Sequence, residues 1–152
     1  MPNTVTHLID YTQEIEKHMA TQKNHDVPYT IGTIESVRPD MLEPIEYAYK
    51  GRRDIVITIH QPEFTSVCPM TGLPDFGTIT VRYRPNASII ELKSLKFYLL
   101  QYRNVGIFYE HVVNRILDDL VTVLAPQWME VQGGFTARGG LTTEVVAQFN
   151  ME

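Results

Sequence analysis

Between Asp54 and Phe149 the spacing of apolar residues changes period twice, and this restricts the fold more than any other property of the chain. Asp54 to Gln61 alternates, with Ile55, Ile57 and Ile59 on one side and Val56, Thr58 and His60 on the other, which predicts a strand. Gly77 to Arg84 repeats the pattern through Ile79, Val81 and Tyr83, so the two segments should pair antiparallel. From Leu92 to Arg103 the period becomes helical, with Leu92, Leu95, Leu99 and Tyr102 as the core stripe. A second helix is expected from Tyr109 to Leu124. Val113, Ile116, Leu117, Leu120 and Leu124 should face inward, and Asn114, Arg115, Asp118, Asp119 and Thr122 outward. The link Asn104-Val105-Gly106 is short, which predicts antiparallel helix packing. Pro126 ends the second helix. Trp128 to Phe135 and Leu141 to Phe149 then return to extended structure around a basic, flexible hairpin loop, Thr136-Ala137-Arg138-Gly139-Gly140. The order is strand, strand, helix, helix, strand, strand.

Residues 1–50 read as an N-terminal extension and 51–152 as the catalytic unit of a single domain, since 152 residues suit one hydrophobic core. In the extension, Leu8, Ile9, Tyr11, Ile15 and Met19 allow a short helix from Asp10 to Thr21. His7, His18, His25 and Lys17 are expected to meet solvent, and no metal site is expected. Tyr29 to Val37 should be extended, followed by a turn at Arg38-Pro39-Asp40, with Pro44 keeping the next stretch irregular. No apolar run matches a membrane span, and the N-terminus lacks a signal-peptide pattern, so the expectation is a cytoplasmic chain with no membrane partner. A net charge of −5 argues against a broad nucleic-acid face, and one cysteine excludes an internal disulfide.

That cysteine, Cys68, lies in Glu63–Gly77 and precedes Asp75, with Pro69, Gly72 and Pro74 between them. Proline removes an amide donor and glycine admits positive φ, so the segment is expected to be neither a regular helix nor a central strand. A lone cysteine is ordinarily a small buried apolar residue. A thiol and a carboxyl on one stiff loop can also share a pocket, as nucleophile and proton donor. Asp75-Phe76-Gly77 copies a kinase metal-binding tripeptide, but the companion kinase motifs are missing. A cysteine–histidine hydrolase through His60 or His111 has no local signature.

A second motif, Glu91-Leu92-Lys93-Ser94-Leu95-Lys96-Phe97-Tyr98, opens the first long helix. An amphipathic helix with two exposed lysines is unremarkable in itself. A helix N-terminus beside Lys93, Ser94 and Lys96 could also hold phosphate groups through amides, a hydroxyl and point charges.

Residues 91–98 together with the Cys68 segment resemble the NADPH-dependent 7-cyano-7-deazaguanine reductases of queuosine biosynthesis. Tyr102-Arg103-Asn104, Phe108, Glu110, Asn114 and Phe135-Thr136-Ala137-Arg138-Gly139-Gly140 extend the match, which covers about residues 54–148. The resemblance implies an α+β tunnelling fold: a four-stranded antiparallel sheet with two helices, associating into rings of two stacked pentamers with sites at subunit interfaces. It implies Cys68 as nucleophile and Asp75 as acid. Ile90, Glu91, Leu92, Tyr109 and Glu110 would bind the deazapurine. Lys93, Ser94, Lys96, Arg138 and Gly139 would bind NADPH, with no direct nucleic-acid contact. Relatives place histidine before the substrate glutamate, where this chain has Tyr109, and His111 follows; either could take that role. An archaeal relative adding ammonia to the nitrile on transfer RNA, a zinc cyclohydrolase and a non-catalytic purine binder are the competing classes. The intact Lys93-Ser94-Lys96 and the single cysteine count against the first two.

Overall fold

Four long strands build one antiparallel sheet: β2 (Ile57–Val67), β3 (Pro74–Arg84), β5 (Trp128–Arg138) and β6 (Leu141–Asn150), in the order β2-β3-β5-β6. Two three-residue strands, β1 (Pro44–Glu46) and β4 (Ser88–Ile90), pair as a separate ribbon. Helices α1 (Leu92–Leu100) and α2 (Tyr109–Leu124) fall between β4 and β5. The computed structural model describes residues 29–152. The helix expected over Asp10–Thr21, with Lys17, His7, His18 and His25, lies outside the described residues.

The strand alternation predicted from the apolar pattern sets which face meets the helices. Ile79, Val81, Tyr83, Met129 and Val131 are buried on that face, and Ile57 and Ile59 pack against them. Onto it α2 lays Val112, Val113, Ile116, Leu117, Leu120 and Leu124, all buried, over β5 and β6. Burying one such side chain contributes about 1.5–3 kcal/mol, so this stripe anchors the helix. The helix ends where Ala125 turns left-handed at φ 43° and Pro126 follows.

Several local expectations are corrected. Leu92 does not join the core stripe of α1; it is 60% exposed, while Ser94 and Leu95 of the same turn are buried and Tyr98 takes the inward place with Leu95, Leu99 and Tyr102. Tyr29 to Val37 is not a strand. Gly32 bridges Val105, and a 3-10 turn occupies Ile34–Ser36. Pro44 opens β1, a position where a missing amide costs no ladder bond. The connection between the helices is a 3-10 turn, Gln101–Asn104, followed by Val105 and Gly106, which bridge to Gly32 and Val67. These backbone bonds cover the outer edge of β2 near its end. The hairpin loop contracts to Gly139-Gly140, with φ of 56° and 82°, the left-handed pair that a two-residue turn requires.

Asp119 turns inward rather than to solvent. Its carboxylate accepts from the Tyr98 hydroxyl at 2.6 Å and from Arg115 Nε at 2.8 Å. Tyr98 has one proton and gives it to Asp119, so the 2.7 Å contact with Tyr102 is donated by Tyr102. Burial pushes both phenols up, Tyr102 to about 12 and Tyr98 further. Unfolded tyrosines ionise near pH 10, so above that pH the native state holds more protons and stability falls. The stabilisation is complete below about pH 10 and, for Tyr102, is lost as pH rises towards about 12. Between about pH 9 and about pH 11, urea unfolding should show a total loss of about 1.4 kcal/mol for each protected phenol, nearly all of it above about pH 10. Equal stability at both values would mean that the network opens to base.

Candidate active site

The connection carrying Cys68 is shorter than its composition suggests. Glu63–Val67 continues β2, and Pro74–Gly77 opens β3, which is an inner strand. The expectation of irregular structure throughout this segment is therefore corrected. Pro74 is tolerated as the first residue of its strand, and Pro62 sits in an edge strand where the register shifts between Gln61 and Phe64. Only 68–73 form the loop. It closes on itself through Cys68 N–H to Leu73 O at 2.9 Å and Gly72 N–H to Cys68 O at 2.8 Å, with Gly72 at φ 71°. The Tyr29 hydroxyl donates to Gly72 O. Cys68 is half-buried at the base of this loop.

Asp75 is 4% exposed and lies across the β2–β3 ladder from Ser66. Its Oδ1 accepts from the Tyr109 hydroxyl at 2.9 Å and pairs with the Arg138 guanidinium at 2.6 Å. Arg138 also donates to the Pro74 carbonyl. The Tyr109 ring stacks on Phe135 with centroids 3.8 Å apart and planes 9° from parallel. Phe135 in turn fills space over Gly77 and Gly133, where an added Cβ would meet the ring at 2.8 and 2.7 Å. Two glycines seat an aromatic ring, that ring seats a phenol, and the phenol holds the acid. Burial, then the hydrogen bond to Asp75, pushes the Tyr109 phenol up, so it remains a donor. Ser66 Oγ is buried and is the sole such side-chain oxygen among the described residues without a hydrogen-bond partner.

Of the two residues that could stand where relatives have histidine, Tyr109 reaches Asp75. His111 is exposed, with its ring edge-on to Phe108 at 5.9 Å. Glu110 is exposed in the first turn of α2, where no side chain caps the helix.

The Glu91–Lys96 motif forms a second, separate cluster. Glu91 caps α1, its carboxylate accepting from Lys93 N–H at 2.8 Å and Ser94 N–H at 2.6 Å. Ser94 Oγ donates to Glu91 O at 2.7 Å and accepts from Glu43 N–H at 3.0 Å. The hydroxyl and amides expected to cradle a phosphate are thus engaged by the chain itself. Lys93 and Lys96 are exposed, and a cavity of about 330 Å³ opens between Met41, Glu43, Lys93 and Phe97. Ile90 donates its N–H to the Tyr83 hydroxyl at 3.1 Å, and Leu92 is exposed beside it. For a dinucleotide cofactor, the exposed lysines and the half-exposed Arg138 suit phosphates, Gly139 leaves bare backbone next to Arg138, and Ser94 has no spare proton.

Asp75 and Tyr83 lie eight residues apart along β3 (83 − 75 = 8), so the two clusters are separated by roughly 25 Å of strand. No hydrogen bond or ion pair among the described residues joins them. Sequence spacing identified Cys68 and Asp75 together but missed Phe135, Gly77 and the contacts of Tyr109 and Arg138 with Asp75. Alternation along β5 held the one available signal, since it places Phe135 opposite Gly77.

The sheet order, with two helices between its second and third strands, is that of a tunnelling-fold protein, although the two helices make little contact with each other rather than the antiparallel packing expected. A solved structure titled archaeosine synthase QueF-Like, in the apo form, superimposes with a TM-score of 0.55 at 22% identity, over 62% of this chain and 91% of that one. At that identity the likeness speaks for the fold alone. A family model described as QueF-like protein matches residues 74–152. The chain is 55% identical over 116 residues to the NADPH-dependent 7-cyano-7-deazaguanine reductase of Chloroherpeton thalassium, covering 76% of this chain and 99% of that protein. It is 48% identical over 132 residues to the like-named protein of Caldanaerobacter subterraneus, covering 87% and 98%. The chain belongs to the QueF-like family. Among the described residues no helix is long and apolar enough to cross a membrane.

Proposed function

We propose that this chain reduces the nitrile of 7-cyano-7-deazaguanine to the primary amine, in the cytoplasm, as a step towards the queuosine modification of transfer RNA. The observation that carries the mechanism is a buried Asp75, fixed by Tyr109 and Arg138, at the foot of the loop that bears Cys68.

Thiolate is the side-chain nucleophile best suited to an electrophilic nitrile carbon. Asp75, resting as an ion-paired carboxylate, takes the Cys68 thiol proton. The sulfur forms a bond to the nitrile carbon, one carbon–nitrogen π bond opens onto nitrogen, and Asp75 returns the proton there. The product is a covalent thioimide. When bound, NADPH supplies the hydrides for the four-electron reduction. Glu110 accepts hydrogen bonds from the guanine-like edge, and Tyr109 keeps Asp75 oriented. Ile90, Glu91 and Leu92 line the pocket, while Lys93, Lys96, Arg138 and Gly139 meet the cofactor, with Ser94 holding the start of α1 in place.

We assign the catalytic unit to 51–152, with 1–50 as an extension. The separation of the two clusters supports a ring of two stacked pentamers, in which one copy offers Cys68, Asp75 and Glu110 and its neighbour offers Ile90 to Lys96. The edge strands β2 and β6 are free to pair between copies over most of their length.

Intact mass after incubation with 7-cyano-7-deazaguanine, followed by NADPH absorbance, tests the chemistry. The expected result is a gain of one substrate mass, absent in Cys68→Ala, and oxidation of two NADPH per amine formed. An adduct with no NADPH oxidation would indicate an ammonia-adding relative instead. No adduct would leave a purine-binding protein.

A further inference from the structure

We propose that Arg138 is shared between Asp75 and the cofactor, so that the charge state of the acid controls how tightly NADPH binds. This rests on the function proposed above.

The geometry places the competition on one side chain. Arg138 Nη2 holds Asp75 Oδ1 at 2.6 Å and the Pro74 carbonyl as well, so the nitrogen shared by both bidentate edges of the guanidinium is turned to the strand. Its side chain is 38% exposed whereas that of Asp75 is 5% exposed. The mobile partner of this pair is therefore the arginine; the carboxylate is locked in place by the strand and by Tyr109. Arg138 also directly precedes Gly139-Gly140, a turn whose bare backbone admits a phosphate. A guanidinium engaged in a bidentate grip on phosphate cannot keep its ion pair with Asp75. Once Asp75 accepts the Cys68 proton, the pair loses its charge, and Arg138 is released towards the cofactor. Proton transfer from thiol to acid and capture of NADPH are then ordered by a single residue. Reciprocity follows: whatever strengthens the Asp75–Arg138 pair weakens cofactor binding by the same factor.

Asp75→Asn mimics the protonated acid with its shape intact and keeps the Tyr109 hydroxyl partnered. It should tighten NADPH binding, read as nicotinamide fluorescence without substrate, by about 5- to 20-fold. The same substitution in an Arg138→Gln background should change the affinity by less than about twofold. A persistent gain in that background would mean simple repulsion between Asp75 and the phosphates, and would overturn the shared arginine. No gain in Asp75→Asn, with wild-type binding intact, would overturn it while leaving the reductase reading untouched. A wild-type protein that forms the nitrile adduct but binds no NADPH would overturn both. Thermal unfolding of each variant, compared with the less invasive Arg138→Lys, ensures that folded protein is titrated. Arg138→Lys keeps the charge but loses the fork, and should show an intermediate coupling.

Discussion

Asp75→Ala is expected to lower turnover by about 10²- to 10⁴-fold, the range over which a positioned acid–base group acts. Under the proposed mechanism thioimide formation should slow by the same factor, because both the removal of the thiol proton and its delivery to nitrogen would pass through this carboxylate. The fold should survive the change. Arg138 is half-exposed and returns to water, while the Tyr109 hydroxyl, half-buried, loses its acceptor. Leaving one buried donor unmet costs about 1–3 kcal/mol, which moves the melting temperature without unfolding the chain. A time course of intact mass in single turnover separates the adduct step from reduction. A loss below about tenfold would place the acid on another residue, with Tyr109 the first to be replaced by Phe.

Gly77→Ala should be the most damaging single methyl in the described chain. The added carbon would lie 2.6 Å from the Gly134 carbonyl oxygen, 2.8 Å from Phe135 Cδ1 and 3.2 Å from Phe135 Cα. Two of these three neighbours are backbone atoms in the ladder between β3 and β5, and neither can rotate away. The strands must separate, for which about 3 kcal/mol of lost stability is expected. Gly133→Ala meets side chains instead, the Phe135 ring and Val113, so the ring can shift and the cost should be smaller. In both variants Phe135 moves, and Tyr109 and Asp75 move with it, so activity should fall further than stability predicts. Urea unfolding with parallel turnover measurements checks this. A Gly77→Ala loss of less than about 1 kcal/mol would show that the ladder opens easily there.

The element order was legible because each long segment has one buried face and repeats it often enough to declare a period. Ile79, Val81 and Tyr83 lie where alternation puts them, as do Val113 to Leu124 on α2. Errors arose where periodicity is blind. Leu92 is apolar at a core spacing, yet it is the first residue of its helix and its side chain is exposed while Ser94 and Leu95 turn inward. Pro69 and Pro74 suggested a long loop, but Pro74 opens a strand and only 68–73 remains a loop. Asp119 looked like a solvent residue because its partner, Tyr98, is on another helix. At the site, Cys68 and Asp75 stand close in sequence and could be read together. The Tyr109 contact spans 34 residues and depends on a stacking partner from a third element, which no local pattern encodes.

Two irregular steps in the ladders decide which side chains meet Asp75. On β2, pairing of Gln61 with Ile79 and of Phe64 with Gly77 leaves two residues opposite Thr78 alone. On β5, pairing of Phe135 with Thr143 and of Arg138 with Leu141 leaves Thr136 and Ala137 opposite Thr142 alone. Each step reverses the alternation beyond it, so Phe64 and Ser66 come to the face of Asp75, and so does Arg138 in place of Ala137. On β2 and β5 the stretch beside Asp75 is thus out of phase by one residue with the rest of the strand, while β3 keeps a single alternation throughout. Chain length therefore shapes this end of the sheet as much as residue type: deleting one residue from either step would keep Phe64, Ser66, Asp75 and Arg138 in the chain and turn the acid's neighbours on that strand to the opposite side.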